Sequence, residues 1–322
     1  MAMIKGNILV TGGAGYIGSV LISRLLNQTD LRIRVLDSLK YGGNSLLPVW
    51  GSSRLQLIPG DIRHPETVRR AVDSADYIVH LAALVGEPLC QRYPEDAKTT
   101  NLDATLLLAD ASTAANVKLF VFASTCSNYG MRESEEPVDE RAALEPVSLY
   151  AETKVQAEDY LRKNKNLKSV ILRFATVYGS SPRMRFDLLL HQLIREAYLQ
   201  KKITVYGPDS WRPLVHAQDA CTAIISAIQE SQDLSSVYNV GGDLQNYRKR
   251  ELANVVAKFF PESSTQLLST VNDRRSYRVS FRRIREELGF DPALSLEDGV
   301  EEIAEGLATG VLEGALLKEG NF

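Results

Sequence analysis

A glycine-rich segment near the amino terminus constrains the fold more than any other feature of this sequence. Glycines occupy positions 12, 13, 15 and 18, between an apolar run that ends at Thr11 and an amphipathic stretch that begins near Ile17. Glycine at such positions allows a tight turn, lets the backbone approach a pyrophosphate and lets a helix pack closely on a strand. The free amides at the start of that helix attract phosphates. The segment therefore predicts a dinucleotide site that includes Gly12, Gly15, Tyr16, Ile17 and Gly18.

An acidic residue at the end of the second apolar run refines the cofactor prediction. Asp37 follows the last of these glycines by about 20 residues. A carboxylate there accepts hydrogen bonds from the diol of an adenosine ribose and repels a 2'-phosphate, so we expect NAD rather than NADP. Asp61 and Ile62, just after the third apolar run, are candidate adenine contacts, with a simple turn role as the alternative for Asp61.

The order of apolar runs and amphipathic stretches predicts an α/β fold. Strands are expected at 7–11, 32–36, 55–57, 77–81, 119–123 and 169–174, and helices at 17–26, 103–115 and 150–163. Strands that alternate with helices indicate a Rossmann-type, doubly wound parallel sheet, whose ligands bind at the carboxyl ends of the strands.

The pattern loosens after residue 179, which predicts a second, smaller domain. We expect an NAD-binding domain over 1–178 and a C-terminal substrate-binding domain over 179–322. A helix at 185–200 and a strand at 203–206 belong to the second domain. A helix at 219–230 and a strand at 237–240 indicate that the chain returns to the first domain near 214–242.

Composition and charge exclude several classes of function. A formal net charge of -3 offers no bulk electrostatic attraction for nucleic acid or membrane. The three cysteines are odd in number and scattered, the first strand follows the amino terminus without room for a signal peptide, and no apolar run is long enough to span a bilayer. We therefore expect a soluble cytoplasmic protein. The four histidines lack metal-ligand spacing, so no metal is expected; His80 is interpreted as a packing residue and His216 as a structural hydrogen-bond donor.

Tyr150 and Lys154 are the candidate catalytic pair. Residues four apart lie on the same side of a helix, one turn from each other. An ammonium near a phenol favours the phenolate and so lowers the pKa of the tyrosine. The pair is thus expected to supply a general base that takes a proton from a substrate hydroxyl.

Several short motifs in fixed order carry a resemblance to a known family. They are Gly12 to Gly18, His80-Leu-Ala-Ala83, Asn101, Ser124-Thr125, Tyr150-x-x-x-Lys154 and Arg173-Phe-Ala-Thr-Val-Tyr-Gly179. Together they resemble the extended short-chain dehydrogenase/reductases, and within these the NAD-dependent nucleotide-sugar epimerases and dehydratases. The likeness runs from about residue 5 to about residue 305.

The resemblance implies a role for each matching residue. Tyr150 matches the catalytic base, Lys154 the residue that holds the nicotinamide ribose, and Thr125 the hydroxyl that hydrogen-bonds the reacting sugar oxygen. The cofactor pocket is implied to include Leu81, Ala82, Ala83 and Asn101. A nucleotide-diphosphate sugar is the implied substrate, and a homodimer built on two helices per subunit, one of them 150–163, is the implied assembly.

The segment Thr125-Cys126-Ser127 favours one reaction of the family. Dehydratases of the family carry an Asp-Glu pair where this chain has Cys126 and Ser127. A thiol and a neutral hydroxyl are poor substitutes for that acid/base pair. We therefore expect epimerisation through a transient 4-keto sugar. Net C4 oxidation or 4-ketoreduction is the alternative, and dehydration is less favoured.

Other candidate substrate contacts depend on the same resemblance. Arg212 and Arg275 match arginines that meet the diphosphate or nucleotide, with Arg274 as an alternative to Arg275. Thr176 stands where many relatives have asparagine, and Val85 lies in a loop that usually approaches the sugar. The remaining candidates are Cys126, Arg183 and Arg185.

Overall fold

A computed structural model describes residues 3–132, 134–230, 236–269 and 275–316. The strands are β1 (Lys5–Thr11), β2 (Asp30–Asp37), β3 (Leu55–Pro59), β4 (Tyr77–His80), β5 (Leu119–Thr125), β6 (Ser169–Phe174), β7 (Thr176–Tyr178), β8 (Lys202–Tyr206), β9 (Trp211–His216), β10 (Ser236–Val240), β11 (Asn246–Arg248) and β12 (Ser264–Leu268). The α-helices are α1 (Tyr16–Gln28), α2 (Pro65–Val72), α3 (Glu87–Arg92), α4 (Pro94–Lys98), α5 (Ala104–Ala114), α6 (Leu149–Lys163), α7 (Leu189–Gln200), α8 (Ala217–Glu230), α9 (Lys249–Phe259), α10 (Arg282–Leu288), α11 (Leu296–Ala308) and α12 (Glu313–Leu316).

A seven-stranded sheet forms the centre of the molecule. Its strand order is β10-β6-β5-β4-β1-β2-β3, and every neighbouring pair is parallel. The six strands predicted before residue 175 all occur in it, and β10 extends the sheet beside β6. The strand order reverses between β1 and β4, which is the topological switch point where open α/β sheets bind their ligands.

Both faces of this sheet are covered by helices, as the two-residue period of the strands requires. Along β1, Ile8 and Val10 lie in a hydrophobic core cluster with residues of α1 and α8, whereas Leu9 lies in a second cluster with residues of α2, α5 and α6. In β5, Val121 and Phe122 divide between the same two clusters. The predicted doubly wound α/β fold is therefore confirmed.

The later part of the chain builds two small sheets around a further core cluster. One has the order β11-β9-β7 and the other pairs β12 with β8. The cluster takes side chains mainly from α7, α9 and α11, with Tyr16 of α1 joining it from the first part of the chain. These elements lie after β6 in sequence, in the region for which we predicted the substrate-binding domain.

The predicted helix 185–200 begins later than expected. The structure starts α7 at Leu189, with the preceding Leu188 extended at φ -76° and ψ 145°. Arg185 instead forms an ion pair with Asp187, and its carbonyl oxygen lies 2.7 Å from Nδ1 of His191. These local side-chain bonds hold residues 185–188 out of the helix.

The described part of the chain has no helix that is long and apolar enough to cross a membrane. The three cysteines, Cys90, Cys126 and Cys221, are all buried free thiols.

Candidate active site

The glycine turn packs tightly against the first helix and the end of β4. Gly12 has a φ of +72°, and its amide donates to Leu36 O at 2.9 Å. A Cβ on Gly12 would lie 2.7 Å from Ala82 N, and one on Gly18 would lie 2.2 Å from Gly12 O. At Gly15, by contrast, Gly12 O at 3.1 Å is the only described atom that a Cβ would approach within 4 Å. The backbone at Gly15 is therefore open to a phosphate.

Tyr16 and Ile17 have their side chains directed into the protein. Tyr16 is 7% exposed and its hydroxyl donates to Gly179 O at 2.7 Å. Ile17 packs against two hydrophobic clusters. Both residues lie in the first turn of α1, where backbone amides lack intrahelical acceptors. Their predicted role in cofactor binding would therefore fall to backbone amides.

Asp37 is fixed beside the glycine turn. Its Oδ2 accepts from Ala14 N at 3.0 Å and its Oδ1 accepts from Leu39 N at 2.8 Å, while burial raises the pKa of the carboxyl. Each carboxylate oxygen retains further accepting capacity for a ribose diol. The uncrowded backbone at Gly15 and this anchored carboxylate together fit an adenine dinucleotide such as NAD.

Asp61 and Ile62 occupy the turn after β3. The Asp61 carboxylate accepts from Arg63 N at 2.9 Å and from Arg63 Nη2 at 2.7 Å, which is the behaviour of a turn residue. Ile62 is buried in the same hydrophobic cluster as Val68 and Ala71. The geometry thus favours the turn role for Asp61 over the adenine contact.

Asn101 orders the loop that follows β4. Its Oδ1 accepts from Leu84 N at 2.7 Å and its Nδ2 donates to Leu84 O at 2.9 Å, so one side chain satisfies both backbone groups. Ala82 N donates to Thr11 Oγ1 at 3.3 Å. The segment Leu81 to Ala83 is thereby held against the glycine turn, at the edge of the sheet where the predicted cofactor site lies.

His80 behaves as a packing residue, as predicted. Its Nδ1 lies 2.6 Å from Thr11 Oγ1 and its Nε2 lies 2.9 Å from Thr105 Oγ1. Burial lowers the pKa of His80 to about 3, so the ring is neutral. His216 is likewise structural, because Gln218 N donates to its Nδ1 and its Nε2 therefore donates to Glu302 Oε1 at 2.8 Å. Among the residues that the structure describes, no group of three or more His, Cys, Asp or Glu side chains could hold a metal ion.

The candidate catalytic pair projects from the first turns of α6. Ser148 caps this helix, since its side chain accepts from Ala151 N at 3.2 Å. The Nζ atom of Lys154 donates to Ala123 O at 2.8 Å and lies 5.8 Å from the centroid of the Tyr150 ring. Ala123 precedes Thr125 by two residues on β5, so the lysine joins α6 to the strand that carries the candidate hydroxyl.

The expected lowering of the Tyr150 pKa is wrong for this structure. Burial raises the pKa of Tyr150, and the buried thiol of Cys90 adds to that effect, while Arg185 and Arg275 oppose it. Burial also lowers the pKa of Lys154 to about 8. The sequence placed an ammonium near the phenol but did not reveal how much water the surrounding residues remove, and this desolvation outweighs the attraction.

The turn after β5 directs three consecutive side chains to different surroundings. Thr125 is half-buried and its Oγ1 accepts from Ser127 N at 3.1 Å. Cys126 is fully buried, and its thiol donates to Arg173 O at 3.1 Å. The assignment of Cys126 as a substrate contact is therefore wrong for its side chain, which faces the core. Ser127 Oγ lies 3.3 Å from Tyr277 OH.

Two arginines from the later part of the chain meet at this turn. Arg275 Nη1 donates to Ser127 Oγ at 3.5 Å, and Arg212 Nη1 donates to the carbonyl oxygen of Arg275. Arg212 is 3% exposed. Thr176 lies on β7, which pairs directly with the strand that carries Arg212. The alternative residue Arg274 lies outside the described residues.

The loop before α7 approaches the site from the other side. A Cβ on Gly86, next to the candidate Val85, would lie 3.9 Å from Arg185 Nη2. Arg185 forms an ion pair with Asp187 at 2.5 Å. Its positive charge acts to lower the pKa of Tyr150, against the larger effect of burial. The Arg183 guanidinium lies 4.8 Å from the centroid of the Tyr41 ring, in the segment that follows Asp37. These contacts bring the candidate substrate loops next to Tyr150 and to the segment that follows Asp37.

Sequence reasoning missed three residues that organise the site. Glu158 of α6 forms a buried ion pair with Arg173 of β6, Asn128 donates to Glu158, and Tyr277 contacts the turn after Thr125. The position of Glu158, four residues after Lys154 on the same helix face, was the one signal available in the sequence.

Comparison with known proteins places the chain among nucleotide-sugar enzymes. The model of the NAD dependent epimerase/dehydratase family matches residues 8–241. A Bacillus subtilis protein named "Uncharacterized UDP-glucose epimerase YtcB" is 30% identical over 317 residues, which covers 92% of this chain and 96% of the relative.

Solved structures of similar proteins include both an epimerase and a dehydratase. UDP-glucuronic acid 4-epimerase from Bacillus cereus, crystallised with UDP-glucuronic acid and NAD, has a TM-score of 0.85 at 25% identity and covers 94% of this chain and 99% of its own. The dTDP-glucose 4,6-dehydratase DesIV from Streptomyces venezuelae, crystallised with NAD, has a TM-score of 0.83 at 28% identity and covers 94% of this chain and 98% of its own.

Proposed function

Since this chain belongs to the NAD-dependent epimerase/dehydratase family, the extended short-chain dehydrogenase/reductases, we propose that it is a nucleotide-sugar epimerase that acts through a transient 4-keto sugar. The protein is an enzyme of this family with NAD as its cofactor. The identity of the reaction is the part that we propose.

The mechanism assigns one task to each of three side chains. Tyr150, in its phenolate form, takes the proton from the C4 hydroxyl of the sugar and later returns it, and Thr125 orients the same oxygen by a hydrogen bond. Burial opposes the phenolate, and the positive charges of Lys154 and of the oxidised nicotinamide would favour it. Lys154 contributes a positive charge near the phenol. Bound NAD, held at the glycine turn and Asp37, would supply reversible hydride acceptance at the sugar carbon. Rotation of the keto sugar between the two transfers would invert the configuration at C4.

The residues of the turn after Thr125 support epimerisation over dehydration. An elimination requires a further acid and base to move protons at neighbouring sugar carbons. Cys126 cannot serve, because its thiol is buried, bonded to Arg173 O, and has a pKa raised by that burial. Ser127 offers a neutral hydroxyl in contact with Tyr277 and Arg275. The turn therefore supports hydride and proton exchange at one carbon and no second proton transfer.

The second candidate function is a C4 dehydrogenase or 4-ketoreductase. It uses the same three catalytic side chains, and the absence of the acid pair after Thr125 favours it over dehydration equally well. The two functions differ in the fate of the keto sugar, which an epimerase retains and a dehydrogenase releases.

A panel of nucleotide sugars tests the proposal. Purified protein would be incubated with UDP-, GDP-, CDP- and dTDP-sugars, and the products separated by chromatography and identified by NMR, because epimers share a mass. We expect a C4 epimer to form from at least one sugar without a net absorbance change at about 340 nm. Stoichiometric accumulation of NADH with a keto sugar would establish the second candidate instead.

The position of the arginines supports the proposed substrate class. Arg212 and Arg275 lie together near the catalytic turn, and Arg185 lies next to the loop that carries Val85. Guanidinium groups suit the diphosphate of a nucleotide sugar. We also propose a cytoplasmic location, for which the buried free cysteines are the support.

We further propose a homodimer in which α5 and α6 of each subunit form the contact. The two helices pack side by side, and the half-buried Leu107 and Tyr160 lie on them. Analytical ultracentrifugation would show about twice the monomer mass if this assembly forms.

A further inference from the structure

The helix that carries Tyr150 and Lys154 also carries a buried carboxylate. Glu158 of α6 is 1% exposed and forms an ion pair with Arg173 of β6, also 1% exposed. The Arg173 Nη2 atom lies 2.6 Å from Glu158 Oε2, and Nε lies 3.1 Å from both carboxylate oxygens. This two-point contact fixes the carboxylate relative to the sheet.

The same carboxylate also holds both sides of the turn that carries Thr125. Its Oε1 accepts from the hydroxyl of Ser124, the residue before Thr125, and from Asn128 Nδ2 at 2.8 Å, three residues after it. Lys154 of the same helix adds a further connection to β5, since its Nζ donates to Ala123 O at 2.8 Å. The helix with Tyr150 and the turn with Thr125 are thus tied together on either side of the candidate reaction centre.

Arg173 extends this network to the edge of the sheet. Its Nη1 atom lies 3.0 Å from Tyr129 OH, and Tyr129 OH donates to Asn239 Oδ1 at 2.8 Å on β10. Four elements, β5, β6, α6 and β10, therefore meet at one ion pair. Stability alone is a weak reason for such a pair, because well-packed apolar residues of similar volume are often as stabilising as a buried ion pair.

We propose that Glu158 is a positioning residue for the proposed reaction: clamped by Arg173, its carboxylate sets Tyr150 against Thr125 and stabilises the Lys154 ammonium one helical turn away. This inference rests on the proposed function for its kinetic consequence. Glu158 does not need to touch the substrate, because it acts through the placement of Thr125 and the charge of Lys154.

The other titratable groups near Lys154 keep a constant charge over the pH range in which Lys154 titrates, so the effect of Glu158 on the Lys154 pKa can be measured separately. Glu158 raises the pKa of Lys154, whereas burial lowers it by more, to about 8. Cys90 approaches from α3 with a pKa that burial raises to about 11, and His80 approaches from β4 with a pKa that burial lowers to about 3. Neither changes its charge between about pH 6 and pH 9. In the titration without substrate or NAD, the phenol of Tyr150, whose pKa burial raises, is also uncharged over that range.

The variant Glu158→Gln tests the proposal against a matched control. Glu152→Gln makes the same change at an exposed position of the same helix. We expect kcat of Glu158→Gln to fall about 10- to 100-fold with KM changed less than about twofold, because misplacement of the reacting groups affects the chemical step. Glu152→Gln should match the wild type in both parameters.

The ionisation of Lys154 gives a readout that does not need turnover. In protein with 13C-labelled lysine, the Cε resonance that is missing from Lys154→Arg belongs to Lys154 and follows its charge. We expect its midpoint near the folded pKa of about 8 in the wild type. In Glu158→Gln the midpoint should fall by at least about half a unit, because the neutral amide no longer favours the cation.

A second variant keeps the test decisive if Glu158→Gln does not fold. Ser124→Ala leaves the carboxylate charged and removes one donor next to Thr125, so kcat should fall about 3- to 10-fold with the Lys154 midpoint unchanged. The proposal is overturned if folded Glu158→Gln and Ser124→Ala both have wild-type kcat, or if the Lys154 midpoint of Glu158→Gln equals that of the wild type. If Glu158→Gln does not fold, wild-type kcat in Ser124→Ala overturns the proposal. If wild-type protein turns over none of the sugars, the proposed function fails, while the midpoint still decides whether Glu158 supports Lys154.

Discussion

Lys154 donates from Nζ to the carbonyl oxygen of Ala123 at 2.8 Å, which fastens helix α6 to the end of β5. The same ammonium lies 4.6 Å from the centroid of the Phe122 ring, so it is held between the backbone and an aromatic face. These two contacts stabilise the charged form of a lysine that is only 2% exposed. It also places the lysine where it supports both Tyr150 and the strand that carries Thr125.

Replacement of Tyr150 by phenylalanine should slow catalysis strongly and leave the cofactor site intact. The change removes the hydroxyl that exchanges a proton with the sugar, and general acid–base groups contribute about 100- to 10,000-fold to rate. We therefore expect kcat to fall by that factor, with the amount of NAD bound per subunit unchanged. Both quantities can be measured on one preparation, by product analysis and by release of the cofactor on denaturation. Wild-type turnover in Tyr150→Phe would refute the catalytic assignment.

The rate should decline as pH rises through about 8, the folded pKa of Lys154. Below that pH the lysine is a cation that favours the phenolate of Tyr150, and above it the lysine loses its charge. A profile of kcat from about pH 6 to pH 10 would show this alkaline limb. In Lys154→Arg the charge persists over this range, since arginine stays protonated, so the limb near pH 8 should disappear even though overall activity is lower.

Asp37 should determine the choice between NAD and NADP, whereas Asp61 should not. Asp37→Asn removes the charge beside the glycine turn, so we expect the Kd for NAD to rise about 10-fold and the preference over NADP to narrow. Asp61→Asn is the matched control, because its carboxylate is already engaged by Arg63. Titration calorimetry with both dinucleotides measures the difference. Equal losses in the two variants would contradict the assignment of Asp37.

Gly18→Ala should destabilise the protein because the added methyl group has no space. A Cβ there would lie 2.2 Å from Gly12 O and 2.6 Å from Gly13 Cα, and both are backbone atoms that cannot rotate away. Overpacking of this kind costs about 1–3 kcal/mol of the free energy of unfolding. Gly51→Ala is the control, since its Cβ would meet no described atom within 4 Å. Denaturant unfolding of the two variants gives the comparison, and equal stabilities would show that the turn can adjust.

The sequence predicted the central sheet well because buried parallel strands have a strong local signature. Segments 7–11 and 169–174 each have an unbroken apolar centre, Ile8 to Val10 and Val170 to Leu172, and the structure buries every residue of β6. The glycine turn was equally readable, since its spacing is imposed by backbone geometry at Gly12 and Gly18. These are properties of a few consecutive residues.

Features that depend on distant segments could not be read in the same way. The direction of Cys126 depends on the turn after β5, which directs its thiol towards Arg173 in the core. The ion pair between Glu158 and Arg173 requires α6 to be packed on β6. The direction of the Tyr150 pKa shift depends on how completely the surrounding segments bury the phenol. In each case the deciding neighbour lies far away in the sequence.

A nucleotide sugar that carries deuterium at C4 tests the central claim most directly. If the enzyme is an epimerase, the hydride removed from C4 returns to the same carbon. We therefore predict a C4 epimer that retains the deuterium at C4, seen by NMR, with no net reduced cofactor in solution. Accumulation of deuterated NADH in equal amount to a 4-keto sugar would contradict the account and identify the protein as a dehydrogenase.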